Sequence, residues 1–149
     1  MARTHTISAR RSTAAPATTV WDLLTDVSTW PEWGPFDHGA LDHAGRPHPS
    51  GLGAIRRTTH GRITTLEKVV AFEPERHFAY ELHSARPLRD HMSEVHLSES
   101  HGTTHIDWRA SYRVRVPGTA GSYQRRLSSF LDELVTALAS EAERRSAGV

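Results

Sequence analysis

Apolar residues recur along the last stretch of the chain in steps of three and four. Between Ser122 and Arg145, the residues Tyr123, Leu127, Phe130, Leu131, Leu134 and Leu138 mark one face of a 3.6-residue period. Arg125, Arg126, Asp132, Glu133, Glu141 and Glu143 fall mostly elsewhere. No Pro or Gly interrupts the segment, so the pattern predicts one long helix. Ser122 follows Pro117, Gly118 and Gly121 and stands at a capping position, while Arg144 and Arg145 suit the negative end of the helix dipole. At the usual rise per residue this helix runs roughly 35 Å. One apolar stripe of that length needs a partner of similar length.

The chain before it supplies strands. Residues 3–11 predict a first strand with Ile7 as its large apolar side chain, broken at Ala14-Ala15-Pro16. Pro16 suits a first helical turn, and Val20, Trp21, Leu23 and Leu24 make a short amphipathic run to Asp26. Ser28 is placed to cap a second short helix through Trp30 and Trp33, stopped by Gly34-Pro35. From Phe36 to Gly53 the chain is rich in His, Gly, Pro and Asp, which predicts an irregular strand over 36–41 and then a mobile loop. Strands follow over 54–60, 62–72, 77–84, 90–98 and 103–116. The breaks between them fall at Gly61, Glu73-Pro74-Glu75, Arg86-Pro87 and Ser100-His101-Gly102. Such short connections predict hairpins and an antiparallel sheet. The fold class is therefore α+β: a curved sheet of about six to seven strands wrapped around the C-terminal helix, with two short helices after the first strand.

Composition narrows the function classes. At 149 residues the chain predicts one domain with a sizeable core. The formal net charge of +1 does not favour a nucleic-acid surface. The absence of cysteine removes disulfides, thiolate metal sites and thiol nucleophiles. The opening MARTHTISARRS lacks the apolar run of a signal peptide, and no later run is long enough to span a membrane, so a cytoplasmic protein is expected. Lys68 is the only lysine in an Arg-rich chain, a bias that reads as codon usage as much as chemistry.

Four stretches carry a family resemblance. APATTVWDLLTDVSTWPEW (15–33) is similar to an "a-x-x-V-W-x-x-l-x-D…W-x-x-W" opening. GLGAIR (51–56) is followed by Gly61, EKVVAFEPERHFAY (67–80) is similar to "E-x-V-x-x-x-x-P-x-x-x-x-x-Y", and GTTHIDW (102–108) precedes the long helix. In this order they resemble the START-like or Bet v 1-like helix-grip superfamily, in particular its polyketide cyclase/dehydrase and lipid-transport (SRPBCC) branch. The resemblance spans nearly the whole chain. It implies a deep cavity between a concave sheet and the C-terminal helix, in which members bind lipids, hormones or polyketides. Some members catalyse cyclisation, aromatisation or dehydration, and others only bind, so the fold leaves the function open.

Strand alternation assigns the faces that would line such a cavity. The inward sets are Thr104, Ile106, Trp108, Ala110, Tyr112 and Val114; His91, Ser93, Val95 and Leu97; Phe78, Tyr80, Leu82 and Ser84; Thr65, Glu67, Val69 and Ala71; and Ala54, Arg56 and Thr58, with His60 as a further candidate. A one-residue bulge would invert any set. Trp33, Phe36, Thr58, Val69, Leu82, Ser93, Val95, Trp108, Tyr112, Phe130 and Leu134 are the expected ligand-binding residues, with Phe36 and the following loop as a lid. Trp30 and Trp33 also read as core. A carboxylate facing inward needs a partner, which makes Glu67 and Arg56 a pair that either orients a ligand carbonyl or phenol or braces the wall. Tyr80 and His91 are candidates for proton transfer or for polarising a carbonyl, against a reading of Tyr80 as core and His91 as a solvated strand end. Arg56, Glu67, Tyr80 and His91 are thus the candidate catalytic set.

His38, His43 and His48 recur every five residues, a spacing that repeats neither a helix face nor a strand face, and no HExxH motif occurs, so no metal site is expected. No nucleophile elbow, phosphate loop or dinucleotide fingerprint occurs either, so no cofactor is expected. The expected activity is a cofactor-free cyclisation or dehydration of a hydrophobic, carbonyl-bearing molecule. The alternative is a non-catalytic carrier in the same cavity, or a partner-binding module with a collapsed one. The expected partner is a small hydrophobic molecule, without nucleic acid or membrane insertion. A homodimer is compatible with the sequence.

Overall fold

The structure is a computed structural model and describes residues 3–83, 88–114 and 118–148. Its elements are β1 (Thr4–Thr13), α1 (Ala17–Thr25), α2 (Trp30–Trp33), β2 (His38–His43), β3 (Ile55–His60), β4 (Ile63–Glu73), β5 (His77–Leu82), β6 (Leu88–Ser100), β7 (Thr103–Val114) and α3 (Ala120–Ala147). The seven strands form one curved antiparallel sheet in the order β1-β7-β6-β5-β4-β3-β2. The α1–α2 segment therefore connects the two edge strands. This is the helix-grip arrangement expected from the sequence. Ser84, Arg86-Pro87, Arg115, Val116 and Pro117, which entered the sequence reading, lie outside the described residues.

Turn chemistry sets the hairpins. Gly61, at φ 61°, opens the two-residue turn between β3 and β4. His101 and Gly102, both at positive φ, form the turn between β6 and β7. Positive φ at these positions matches the right-handed twist of the paired strands. Buried residues of β1, β4, β5, β6 and β7 join the apolar stripe of α3 in one core, so the helix lies on the sheet's inner side. Leu131, Leu134, Val135, Leu138, Ala139 and Ala142 form its most buried face. Thr13 ties the two layers together: its Oγ1 donates to the Ala139 carbonyl at 3.1 Å and accepts from the Ala15 amide at 3.2 Å.

Several boundaries depart from the expectations. β1 runs two residues further, to Thr13, because β7 pairs with its whole length. β2 lies at 38–43 instead of 36–41. Asp26, and not Ser28, caps the 3-10 turn Val27–Thr29 that leads into α2: its Oδ1 accepts from the Ser28 amide at 3.1 Å. α3 begins at Ala120, two residues before Ser122, because the positive φ of Gly118 already makes the turn. The Ser122 hydroxyl instead accepts from Arg126 at 3.1 Å. A bulge between Val69 and Ala71 swaps the inward side of β4, so Phe72 replaces Ala71 against Trp21 and Phe78. The expected mobile loop is internally hydrogen-bonded, with the Gly45 amide donating to Pro49 O at 2.7 Å and Arg46 to Leu52 O at 3.0 Å. Among the described residues, no helix is long and apolar enough to cross a membrane.

Candidate functional site

The inner face of the sheet holds two distinct polar groupings. The first is Arg56 with Glu67. They are directly opposite each other on β3 and β4. Both are almost completely buried. Arg56 donates from Nε and Nη2 to Glu67 Oε1 at 3.0 and 2.7 Å, and from Nη1 to the Leu24 carbonyl at 3.2 Å. Trp30 Nε1 donates to the same carbonyl at 3.0 Å. The guanidinium carbon lies 4.4 Å from the Trp30 ring centroid and 5.1 Å from those of Phe78 and Tyr80. Burial pushes the Glu67 carboxyl up against the downward pull of Arg56. This knot joins β3 and β4 to the end of α1 and to α2. A charge so enclosed has to be paired, and here the pairing is internal.

The second grouping borders a cavity between the sheet and α3. Its volume is ≈ 60 Å³, and its wall is formed by Ile7, Trp30, Phe36, Tyr80, Leu82, His91, Ser93, Trp108, Ala110, Leu127, Phe130, Leu131 and Leu134. That volume admits a few waters and is far below the several hundred Å³ of a drug-sized ligand site. The deep cavity implied by the resemblance is narrow here because aromatic rings occupy it. Trp30 meets Phe36 at 5.1 Å and Trp108 at 6.0 Å between centroids, and Phe36 meets Phe130 at 6.0 Å. Leu82 and His91, cross-strand partners on β5 and β6, also border an outer depression of ≈ 390 Å³ with Glu81, Met92 and Ser111. A wider open depression of ≈ 680 Å³, with Arg10, His96 and His105, lies on the outer side of β1, β6 and β7.

Three buried polar atoms in or behind the cavity wall lack partners. Trp108 Nε1, His91 Nδ1 and Tyr112 Oη are buried and make no hydrogen bond. The Tyr80 hydroxyl lies near Ser93 and Trp108, and burial first, then the Glu67 charge, hold its pKa above the usual phenol value. Burial lowers His91 to about 4, so its imidazole is neutral near pH 7. Burial also raises Tyr112. The wall therefore offers neutral donors at Tyr80 and Trp108 and a free ring nitrogen at His91, within an apolar frame.

Eight of the fifteen site residues expected from the sequence border this cavity: Tyr80, His91, Phe36, Leu82, Ser93, Trp108, Phe130 and Leu134. Arg56 and Glu67 lie behind the wall in their own knot. Thr58, Val69 and Val95 are buried away from the cavity. Tyr112 sits behind His91, with ring centroids 6.1 Å apart, and stacks on His5. Trp33 is only half-buried; it packs on Trp30 and donates from Nε1 to Thr29 Oγ1 at 3.2 Å. Ile7, Ala110, Leu127 and Leu131 also border the cavity and were not among the expected site residues, although Ala110 lay on a face read as inward, Leu127 and Leu131 on the helix stripe, and Ile7 was the large apolar residue of the first strand. Trp30, read as core, is both core and wall.

The chain matches, over residues 4–143, the family described as polyketide cyclase/dehydrase and lipid transport. Among curated protein sequences none matches. Among solved structures, a START superfamily protein from Mycobacterium smegmatis superposes with a TM-score of 0.81 at 14% identity, covering 94% of this chain and 98% of that one. The Zhui aromatase/cyclase from Streptomyces sp. R1128 gives 0.77 at 19% identity, covering 97% and 96%. A norcoclaurine synthase point mutant from Thalictrum flavum, bound to a transition-state analogue, gives 0.75 at 17% identity, covering 98% of each. At these identities the structural likeness establishes the fold alone. With the family match spanning almost every described element, the chain belongs to the polyketide cyclase/dehydrase and lipid transport family.

Proposed function

We propose that this protein binds a small hydrophobic molecule bearing a carbonyl or phenol between the sheet and α3, in the cavity as widened when the rings of Phe36 and Phe130 turn aside, and acts on it as a cofactor-free cyclase or dehydratase. The observation that carries this reading is the convergence of Tyr80, His91, Ser93 and Trp108 on one apolar cavity, with two of their polar atoms unpartnered. Buried polar atoms without partners are costly, and a ligand oxygen and an acidic proton would satisfy both. In this scheme the Tyr80 hydroxyl and Trp108 Nε1–H donate to the ligand's carbonyl oxygen. Charge developing on that oxygen in an aldol-type step is then stabilised by donors already in place. The neutral His91 Nδ1 accepts the proton released from the adjacent carbon and returns it to the departing hydroxyl as water leaves. Arg56 and Glu67 act through Tyr80, whose ring rests on the guanidinium, and are positioning residues.

Family membership supports this reading, as does the likeness to an aromatase/cyclase and to norcoclaurine synthase. A second reading, a carrier that binds without turnover, is favoured by the low basicity of His91, which makes it a weak proton acceptor. Native mass spectrometry of the purified protein tests ligand binding directly, by looking for a co-purified small molecule. Product formation from that molecule then separates the two readings. The enzyme reading expects turnover, with Tyr80→Phe and His91→Ala each lowering kcat at least tenfold. Unchanged turnover in Tyr80→Phe, His91→Ala, Arg56→Ala and Glu67→Gln removes the site assignment, and binding without product leaves the carrier.

A further inference from the structure

The outer face of the sheet carries a cluster that the cavity does not use. β5 and β6 pair His77 directly with His96, and Glu94 lies two residues before His96 on the same face. Glu73, paired with His77 on β4, completes the row. The alternate residues Phe78, Val95 and Leu97 are buried in the core, so packing on the inner face fixes the register that brings these four side chains together.

The atoms converge. His77 Nε2 lies 3.4 Å from Glu94 Oε2, and His96 Nε2 lies 3.3 Å from the same oxygen. One ligand atom from each of the three residues falls within 4.8 Å of the others. For bonds of 2.0–2.1 Å, the edge of a tetrahedron of ligand atoms around a zinc ion is about 3.3–3.4 Å. Two of the three edges already have that length.

Hydrogen bonding points the same way. His77 Nδ1 is 3.1 Å from Glu73 Oε2, the carboxylate–histidine contact that leaves Nε2 carrying a lone pair. That Nε2 is buried and makes no hydrogen bond. It faces Glu94, itself an acceptor. A cation between them resolves a contact that two acceptors cannot. The His77 and His96 rings are stacked at 4.3 Å between centroids with 8° between their planes, so one ring must turn about χ2 for both lone pairs to meet the ion. His96 is half-exposed and can turn by exchanging its Nε2 hydrogen bond to Glu94 for the ion.

We infer that His77, Glu94 and His96 form a site for one divalent transition-metal ion of the zinc type. Glu73 orients His77, and a fourth position is open to water or an external ligand. Two imidazoles and one carboxylate favour such an ion over Mg²⁺ or Ca²⁺, which prefer all-oxygen sets. The site is separated from the cavity by the thickness of the sheet.

The test is calorimetric titration of the full chain, previously dialysed against chelator, with Zn²⁺, and in parallel visible absorption with Co²⁺. One Zn²⁺ per chain and the intense absorption of four-coordinate Co²⁺ are expected. His77→Ala and His96→Ala should each weaken Zn²⁺ affinity at least tenfold, and Glu73→Gln roughly tenfold. His83→Ala, which removes a histidine beside a single carboxylate at 3.4 Å, should leave affinity unchanged. Circular dichroism confirms that each variant is folded. No Zn²⁺ binding by the wild type, or binding that survives in the His77→Ala/His96→Ala double variant, overturns the proposal.

Discussion

Arg56 shows how much one buried side chain can commit. Its guanidinium satisfies Glu67 and the end of α1 while three aromatic rings enclose it. Removing one member strands the other charge away from water. Arg56→Ala is expected to cost about 3–5 kcal/mol, measured by urea unfolding followed by circular dichroism. Glu67→Gln keeps a hydrogen-bond acceptor and should cost less. His91 gives a pH-dependent prediction. Its folded pKa, about 4, lies below the ordinary value of 6.5, so on acidification the unfolded chain takes up the proton first. The His91 contribution is therefore fully present above about pH 6.5 and is lost as pH falls towards 4. The loss is on the order of 3 kcal/mol relative to a His91→Gln variant. Comparing urea midpoints of the two proteins at pH 7 and pH 4.5 checks the sign. The pairing of Arg56 with Glu67 was legible because an inward carboxylate demands a partner. That both sit behind the wall was not legible, since it depends on how the rings of Trp30 and Tyr80 stack.

At the scale of elements, periodicity and turn residues carried most of the fold. The stripe on α3 and the alternation along β7 read directly, and Thr104, Ile106, Trp108, Ala110 and Tyr112 are all buried as expected. Remote contacts were not visible. α1 begins at a proline that offers no side-chain cap, and its first amide, at Ala17, donates instead to Glu99 of β6 at 2.7 Å. The bulge at Val69–Ala71 likewise has no signature in a run of apolar residues. β2 offers a test of close packing. A Cβ at Gly39 would lie 2.3 Å from the Val27 carbonyl oxygen, a backbone atom that cannot swing aside. Gly39→Ala should therefore destabilise by about 1–3 kcal/mol, read as a lowered urea midpoint.

At the scale of the whole molecule, the expected sheet and helix are present, and the space between them is nearly filled. Its volume depends on the rotamers of a few large side chains, which a sequence does not specify. Phe130 is the best probe, because it borders the cavity, faces Phe36 and His60, and is only partly buried. Phe130→Ala should widen the cavity while costing less than truncating a fully buried aromatic residue, about 3–5 kcal/mol. An apolar fluorescent probe is then expected to bind the variant several-fold more tightly than the wild type in a fluorescence titration. Equal binding would mean that the pocket does not extend past this ring. Leu82 and His91 touch the inner cavity on one side and the outer depression on the other. At that end the partition between interior and solvent is one cross-strand pair of side chains thick. Rotation of those two side chains would join the inner cavity to the outer depression as one corridor while α3 stays in its seat.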